Sequence, residues 1–231
     1  MNLIPQAVRR GAMQLLGPLV QLLIRLHVRP NAITTVGTLV VLGSAVAFAR
    51  GQTRWAGCLL LVSGVFDMLD GRVARDGGAP TVFGAFYDST LDRVGESALF
   101  TGIAAGFLGG MVPSDRVTLA VVLSCAALAS SLLVSYTRAR AEALGIQCTV
   151  GIAQRAERIV LLGAPTLFFG AGPNGMLLFW LVALLAVATT VTVVQRVAHV
   201  ARVARGPGVR PLRARDTVPG RAPVLQSRKG H

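Results

Sequence analysis

The sequence predicts an all-α integral membrane protein, with six transmembrane helices behind an N-terminal amphipathic helix that lies in the membrane interface. Three observations carry this reading. Of 231 residues, 53% are hydrophobic and the mean hydropathy is +0.61, the composition of a single membrane domain. Apolar runs at 32–49, 55–72, 86–110, 116–137, 157–172 and 175–197 each come near the roughly 20 residues that a bilayer core requires. Of 23 Lys and Arg residues, only Arg50, Arg54 and Arg116 fall in the loops on the predicted outer side. The positive-inside rule then puts both termini in the cytoplasm of a multi-pass protein of the cell (plasma) membrane. The same bias explains the formal charge of +13. No aromatic-studded basic pattern accompanies it, so nucleic acid is not an expected partner.

Taken in order, residues 1–29 read as an amphipathic juxtamembrane helix. Ile4, Leu15, Leu16, Val20 and Leu23 are interrupted by polar residues and flanked by Arg9, Arg10, Arg25 and Arg29, a pattern for the cytoplasmic leaflet rather than a cleaved signal. Residues 30–200 form the six-helix domain. Pro30 stands near the start of its first helix, where Asn31 is a plausible N-cap. The fifth run is short, and Gly163 and Pro165 can kink it. Trp55 and Trp180 fall where indole rings settle at the outer interface. Cys58, Cys125 and Cys148 have no metal or redox spacing and read as packing residues. Residues 201–231 are rich in Pro, Gly and Arg and read as a basic, disordered cytoplasmic tail.

Chemistry concentrates between Val65 and Glu96. Asp67, Asp70, Asp88 and Asp92 sit in or against apolar runs, where charge is expensive and normally functional. Asp67, Asp70, Gly71 and Ala74 share one helical face, and Gly84, Asp88 and Asp92 share a face of the next helix. The turn-forming run from Asp76 to Pro80 lets the two helices pack antiparallel. Carboxylates without Cys or His suit Mg²⁺ or Mn²⁺ rather than zinc. Gly71, Ala74 and Gly84 clear space for a ligand or a facing backbone, and Arg75 offers a planar fork to phosphate. Together these describe a pyrophosphate site. An ion-coupled transporter is the blander alternative, but one buried acid would serve it better than four with an arginine.

The pattern Asp67-x2-Asp70-Gly71-x2-Ala74-Arg75-x8-Gly84-x3-Asp88-x3-Asp92 resembles the complete signature of the CDP-alcohol phosphotransferase (phosphatidyltransferase) family. The resemblance implies transfer of a phosphatidyl group from CDP-diacylglycerol to a small polar alcohol or its phosphate, with release of CMP, by a homodimer in the bilayer. Attack on a pyrophosphate brings anion to anion, and two Mg²⁺ ions, for which Mn²⁺ can substitute, would neutralise that charge. Asp67, Asp70 and Asp88 are the expected ligands. Asp92 is the expected general base on the acceptor hydroxyl and, by the resemblance, a further metal ligand. Gly71, Arg75 and Thr81 would hold the nucleotide and pyrophosphate with Asn31 and Thr34, which match the family's element before the signature.

A second stretch bears on the acceptor. Ser135-Tyr136-Thr137-Arg138-Ala139-Arg140-Ala141-Glu142 and Arg155-Ala156-Glu157-Arg158 face the cytoplasm. They can be topology signals with a local Arg138–Glu142 pair. They can equally form an anion pocket in which Arg138 and Arg155 hold an acceptor phosphate. The stretch resembles elements of the family's inositol-phosphate-using subgroup, with Arg138 for the usual Lys and Gln154 for the usual Glu. Ser89, where glycerol-phosphate enzymes usually carry Pro, leans the same way. Inositol phosphate is therefore the first expectation, and glycerol 3-phosphate or another polar alcohol the second.

Overall fold

A computed structural model of the chain describes residues 6–78, 80–152 and 154–205, with side chains from residue 16 onward. The last helix runs on to Ala204, so the first residues of the expected 201–231 tail are helical and not disordered, and the rest, beyond Arg205, lies outside the described residues. Among the described residues every regular element is helical: α1 (Gln6–Arg25), α2 (Pro30–Ala49), α3 (Thr53–Asp76), α4 (Val82–Gly106), α5 (Val117–Ala143), α6 (Arg155–Phe169) and α7 (Met176–Ala204). A π-helical turn, Phe107–Met111, continues α4, and short 3₁₀ turns precede α5 and α7.

Helix ends follow local chemistry. Arg29 is extended (φ −70°, ψ 131°) and Pro30 opens α2, because proline is preset for the first helical position and has no N–H to leave unpaired. Asn31 is therefore not the cap expected from sequence; it lies inside the first turn. The α3–α4 connection turns through Gly78 (φ +68°), a backbone state that glycine adopts without Cβ strain. Thr81 caps α4 by accepting a hydrogen bond from Gly84 N at 2.9 Å. At α6, Gln154 and Glu157 form a reciprocal capping box, with Gln154 N donating to Glu157 Oε2 at 2.9 Å. That box starts the helix at Arg155.

Helix α2 packs most extensively on α3 and α4, α5 on α7, and α3 on α6. Phe48, Phe107, Leu60, Ile103, Leu162, Leu178, Val182 and Leu185 fill the main core. A smaller cluster, Val20, Ile33, Leu69 and Val73, fastens α1 to α2 and α3. Small residues let backbones approach: a Cβ at Gly57 would meet the Gly163 carbonyl oxygen of α6 at 2.7 Å. Polar bonds cross between helices, Ser44 Oγ to the Ala56 carbonyl at 2.8 Å and Ser130 to Thr189 at 2.5 Å. The periphery carries Leu39, Val46, Trp55, Leu108, Phe168, Phe169, Trp180 and Val194, all exposed and apolar.

Four segments are long and apolar enough to cross a membrane: Pro30–Ala49, Val82–Met111, Ser114–Ala143 and Pro173–Ala204. The other two expected spans fall short for separate reasons. The charges Asp67, Asp70, Arg72, Arg75 and Asp76 dilute the end of α3, and α6 has only 15 residues. The chain is an integral membrane protein whose acid-bearing hairpin, the start of α2, the start of α6 and the ends of α5 and α7 share one end of the bundle.

Candidate active site

The C-terminal part of α3 and the N-terminal part of α4 bring the four aspartates into one electrostatic neighbourhood. Asp70 interacts with Asp67 and Asp88, and Asp92 with Asp67 and Asp88. Asp70 is the most enclosed of them, 6% exposed. Its Oδ2 accepts a hydrogen bond from Thr34 Oγ1 of α2 at 2.8 Å. Thr34 thus holds an acid, a contact that its expected place beside the nucleotide did not include.

Arg155 enters from the first position of α6. Its Nε donates to Asp67 Oδ2 at 2.8 Å and its Nη2 pairs with Asp92 Oδ1 at 3.0 Å. Its Nη1 also reaches the Asp92 carbonyl oxygen at 3.2 Å. Arg93 Nη1 lies 3.3 Å from Asp92 Oδ2. Among the described residues no three acidic, His or Cys side chains converge at metal-ligating range. The guanidinium of Arg155 instead stands between Asp67 and Asp92 as their counter-ion. Among the described residues, helices α3 and α4 do not pack closely on each other, although the sequence suggested it; both pack on α2, which carries the two sets of acids side by side. An all-carboxylate donor set of this kind fits a hard divalent cation.

The small residues form a cradle beside the acids. The Arg75 guanidinium folds over Gly71, where a Cβ would stand 3.2 Å from its Nη1. A Cβ at Gly84 would stand 2.9 Å from Thr81 Oγ1 and 3.2 Å from Asn31 Oδ1. Asn31, Thr81 and Gly84 therefore meet at one spot, although α2 and α4 are remote in sequence. Thr35 Oγ1 and Tyr87 Oη, 3.0 Å apart, tie the same two helices. Arg138 is placed differently. It pairs with Glu142 at 2.8 Å on an exposed surface, the local contact foreseen as one alternative. Of the two arginines read together from sequence, only Arg155 contacts the acids.

Sequence reasoning did not single out Glu96 and Arg196, and it had Arg158 facing the cytoplasm, whereas Arg158 is buried. Glu96 and Arg158 form a buried pair, Arg158 Nη2 to Glu96 Oε1 at 2.6 Å. Arg196, buried in α7, donates through Nε to the Val150 carbonyl at 2.9 Å and through Nη1 to that of Val134. It laces the α5–α6 connection to α7. Each is an ionisable group in an apolar run, and that alone was a signal.

The profile of CDP-alcohol phosphatidyltransferases matches residues 27–202. The chain belongs to the CDP-alcohol phosphatidyltransferase family. It is accordingly a membrane transferase of phospholipid biosynthesis. A phosphatidylinositol phosphate synthase from Cutibacterium acnes is 38% identical over 182 residues, 78% of this chain and 86% of that protein. An archaetidylinositol phosphate synthase from Methanothermobacter thermautotrophicus is 43% identical over 143 residues, 62% of this chain and 68% of its own length. Among solved structures, the Mycobacterium tuberculosis phosphatidylinositol phosphate synthase with CDP-DAG bound superposes with a TM-score of 0.71 at 32% identity. That match covers 85% of this chain and 97% of the other. The same enzyme in complex with manganese and citrate gives a TM-score of 0.73 at 31% identity, over 85% and 92% of the two chains. CDP-alcohol phosphatidyltransferases use divalent metals, consistent with a carboxylate-only cluster here.

Proposed function

We propose that the protein transfers the phosphatidyl group of CDP-diacylglycerol to inositol phosphate and releases CMP, at the cytoplasmic face of the cell membrane. The observation that carries this reading is Arg155, a phosphate-binding fork bonded at once to Asp67 and Asp92. An acceptor bearing a phosphate would find a guanidinium there, beside the carboxylate that takes its proton. The names of these two relatives point to the same acceptor.

In this reading Asp67, Asp70, Asp88 and Asp92 hold two Mg²⁺ ions, replaceable by Mn²⁺. When bound, these supply Lewis-acid neutralisation of the pyrophosphate and of the departing phosphate. Thr34 keeps Asp70 oriented. Gly71 and Arg75, with Asn31, Thr34 and Thr81 at the start of the neighbouring helices, hold the cytidine and pyrophosphate. Asp92 takes the proton from the acceptor hydroxyl as that oxygen bonds to the β-phosphorus and the bond to the CMP oxygen breaks. Arg155 and Arg138 hold the acceptor phosphate. Release of Arg138 from Glu142 is inexpensive, since exposed i,i+4 pairs are worth only about 0.3–0.5 kcal/mol.

The membrane arrangement belongs to the same proposal. Helices α2–α7 make six spans across residues 30–200, with α3 and α6 carried between the four strongly apolar segments they pack on. Helix α1, within residues 1–29, lies in the cytoplasmic interface, residues 201–231 follow as a cytoplasmic tail, and the enzyme works as a homodimer. Incubating purified protein with CDP-diacylglycerol, Mg²⁺ and a panel of inositol phosphate, inositol and glycerol 3-phosphate tests the chemistry through CMP release. The fastest release is expected with inositol phosphate. Release with glycerol 3-phosphate alone would reassign the acceptor, and no release with any alcohol would refute the proposal.

A further inference from the structure

Helices α4 and α6 meet through two rungs of charge. The outer rung is Arg155 with Asp92 and Asp67. The inner rung lies one turn deeper, where Arg158 Nη2 meets Glu96 Oε1 at 2.6 Å and the two side chains are 8% and 7% exposed. Asp92 and Glu96 are four residues apart on α4, and Arg155 and Arg158 three apart on α6, so each pair shares a helix face. The inner rung is poorly satisfied. Glu96 Oε2, Arg158 Nε and Arg158 Nη1 are buried without hydrogen-bond partners. They border a small cavity that is also lined by Ser63, Arg155 and the apolar Leu60 and Leu162.

Such a pair is a poor way to gain stability. Removing two charges from water carries a penalty that a single contact repays incompletely, and apolar replacement of a buried pair is often neutral or stabilising by about 1–4 kcal/mol. Its geometry suggests another use. A directional bond between α4 and α6 sets their axial register and rotation, which apolar packing permits to slip. Arg155 sits one turn from that bond, and its two contacts to Asp92 on α4, at 3.0 and 3.2 Å, depend on that register.

We propose that the Glu96–Arg158 pair is a positioning device for Arg155, locking α6 against α4 so that the Arg155 guanidinium is presented beside Asp92 to the acceptor phosphate. This inference rests on the acceptor reading above. Glu96 and Arg158 touch no substrate; they act through Arg155.

The discriminating variant is Glu96→Leu with Arg158→Met. It removes both charges together, so neither is stranded. The expected result is a Tm at or above that of the parent, an acceptor KM for inositol phosphate raised about tenfold, and an almost unchanged KM for CDP-diacylglycerol. A tenfold change corresponds to about 1.4 kcal/mol, near the lower end for one charge-assisted hydrogen bond. Parental kinetics in this variant would make the pair purely structural and overturn the proposal. A fall in kcat with both KM values unchanged would mean general loosening and would overturn it equally. If the double variant does not fold, Glu96→Gln decides, because it keeps the shape and loses the charge. A rise of several-fold in acceptor KM at near-parental Tm supports the proposal; an unchanged KM, or failure to fold here too, overturns it. Arg155→Ala separates the two readings. If Arg155→Ala raises the acceptor KM and the Glu96/Arg158 variants do not, positioning alone fails. If Arg155→Ala itself leaves that KM unchanged, the phosphate clamp fails and the positioning role with it.

Discussion

Thr34→Val isolates the hydrogen bond between α2 and Asp70 of the acid cluster. Asp70 is 6% exposed, and Thr34 Oγ1 donates to its Oδ2 at 2.8 Å. Valine keeps the β-branched shape but removes the donor, leaving a buried carboxylate oxygen without that partner. A hydrogen bond to a charged group contributes about 1.5–3 kcal/mol, and the loss falls near the full value because little water can replace the donor. For a chain of this size each kcal/mol moves Tm by about 2–4 °C, so a fall of roughly 3–12 °C is expected. The measurement is thermal unfolding of metal-free protein in detergent, with Thr34→Ser as the control that keeps the hydroxyl. The Mg²⁺ concentration for half-maximal activity should rise as well, because Asp70 loses its orientation. If Thr34 served only the nucleotide, Thr34→Val would raise the KM for CDP-diacylglycerol at unchanged Tm. A Tm within about 1 °C of the parent, together with unaltered Mg²⁺ dependence, would refute the reasoning.

Asp67→Asn and Asp88→Asn should each abolish turnover in folded protein, since an amide cannot replace an anionic ligand; substantial Mg²⁺-dependent CMP release by either would count against the ligand assignment. Asp92→Asn should cut the chemical step strongly in single-turnover measurements while leaving CDP-diacylglycerol binding within a few-fold, and equal loss of binding would make Asp92 mainly a ligand. Arg138→Ala should raise the acceptor KM less than Arg155→Ala, because Arg138 lies at an exposed pair with Glu142; a larger effect at Arg138 would reverse that order. Gly102→Ala should destabilise severely, because the new Cβ would lie 2.7 Å from the Ala45 carbonyl carbon of α2; a Tm equal to the parent's would show that α2 and α4 can separate.

Much of the fold was legible because the bilayer restricts the choices. Apolar runs of sufficient length become helices, since backbone polar groups have no water partner in hydrocarbon and must be satisfied internally. The acid hairpin was legible for a related reason. Asp67, Asp70, Asp88 and Asp92 obey the helical period on either side of a glycine turn, so their faces follow from spacing alone. Helix boundaries were less legible where two local signals compete. Asn31 is a good cap by type, but Pro30 occupies the first helical position and draws Asn31 inside the turn.

The sequence by itself determined that this is a helical membrane protein with four aspartates on one hairpin, because length, hydropathy and i, i+3 and i, i+4 spacing are properties of contiguous chain. Only the tertiary structure decided which remote groups reach that hairpin. It joins Thr34 to Asp70 and Asn31 to Gly84 through the packing of α2, and Arg155 to Asp67 and Asp92 through α6, while leaving Arg138 on the surface with Glu142. Nothing in local periodicity distinguishes Arg155 from Arg138. The difference comes from the capping box at Gln154 and Glu157, which starts α6 at Arg155, and from the close approach of Gly57 and Gly163, which sets α6 against α3.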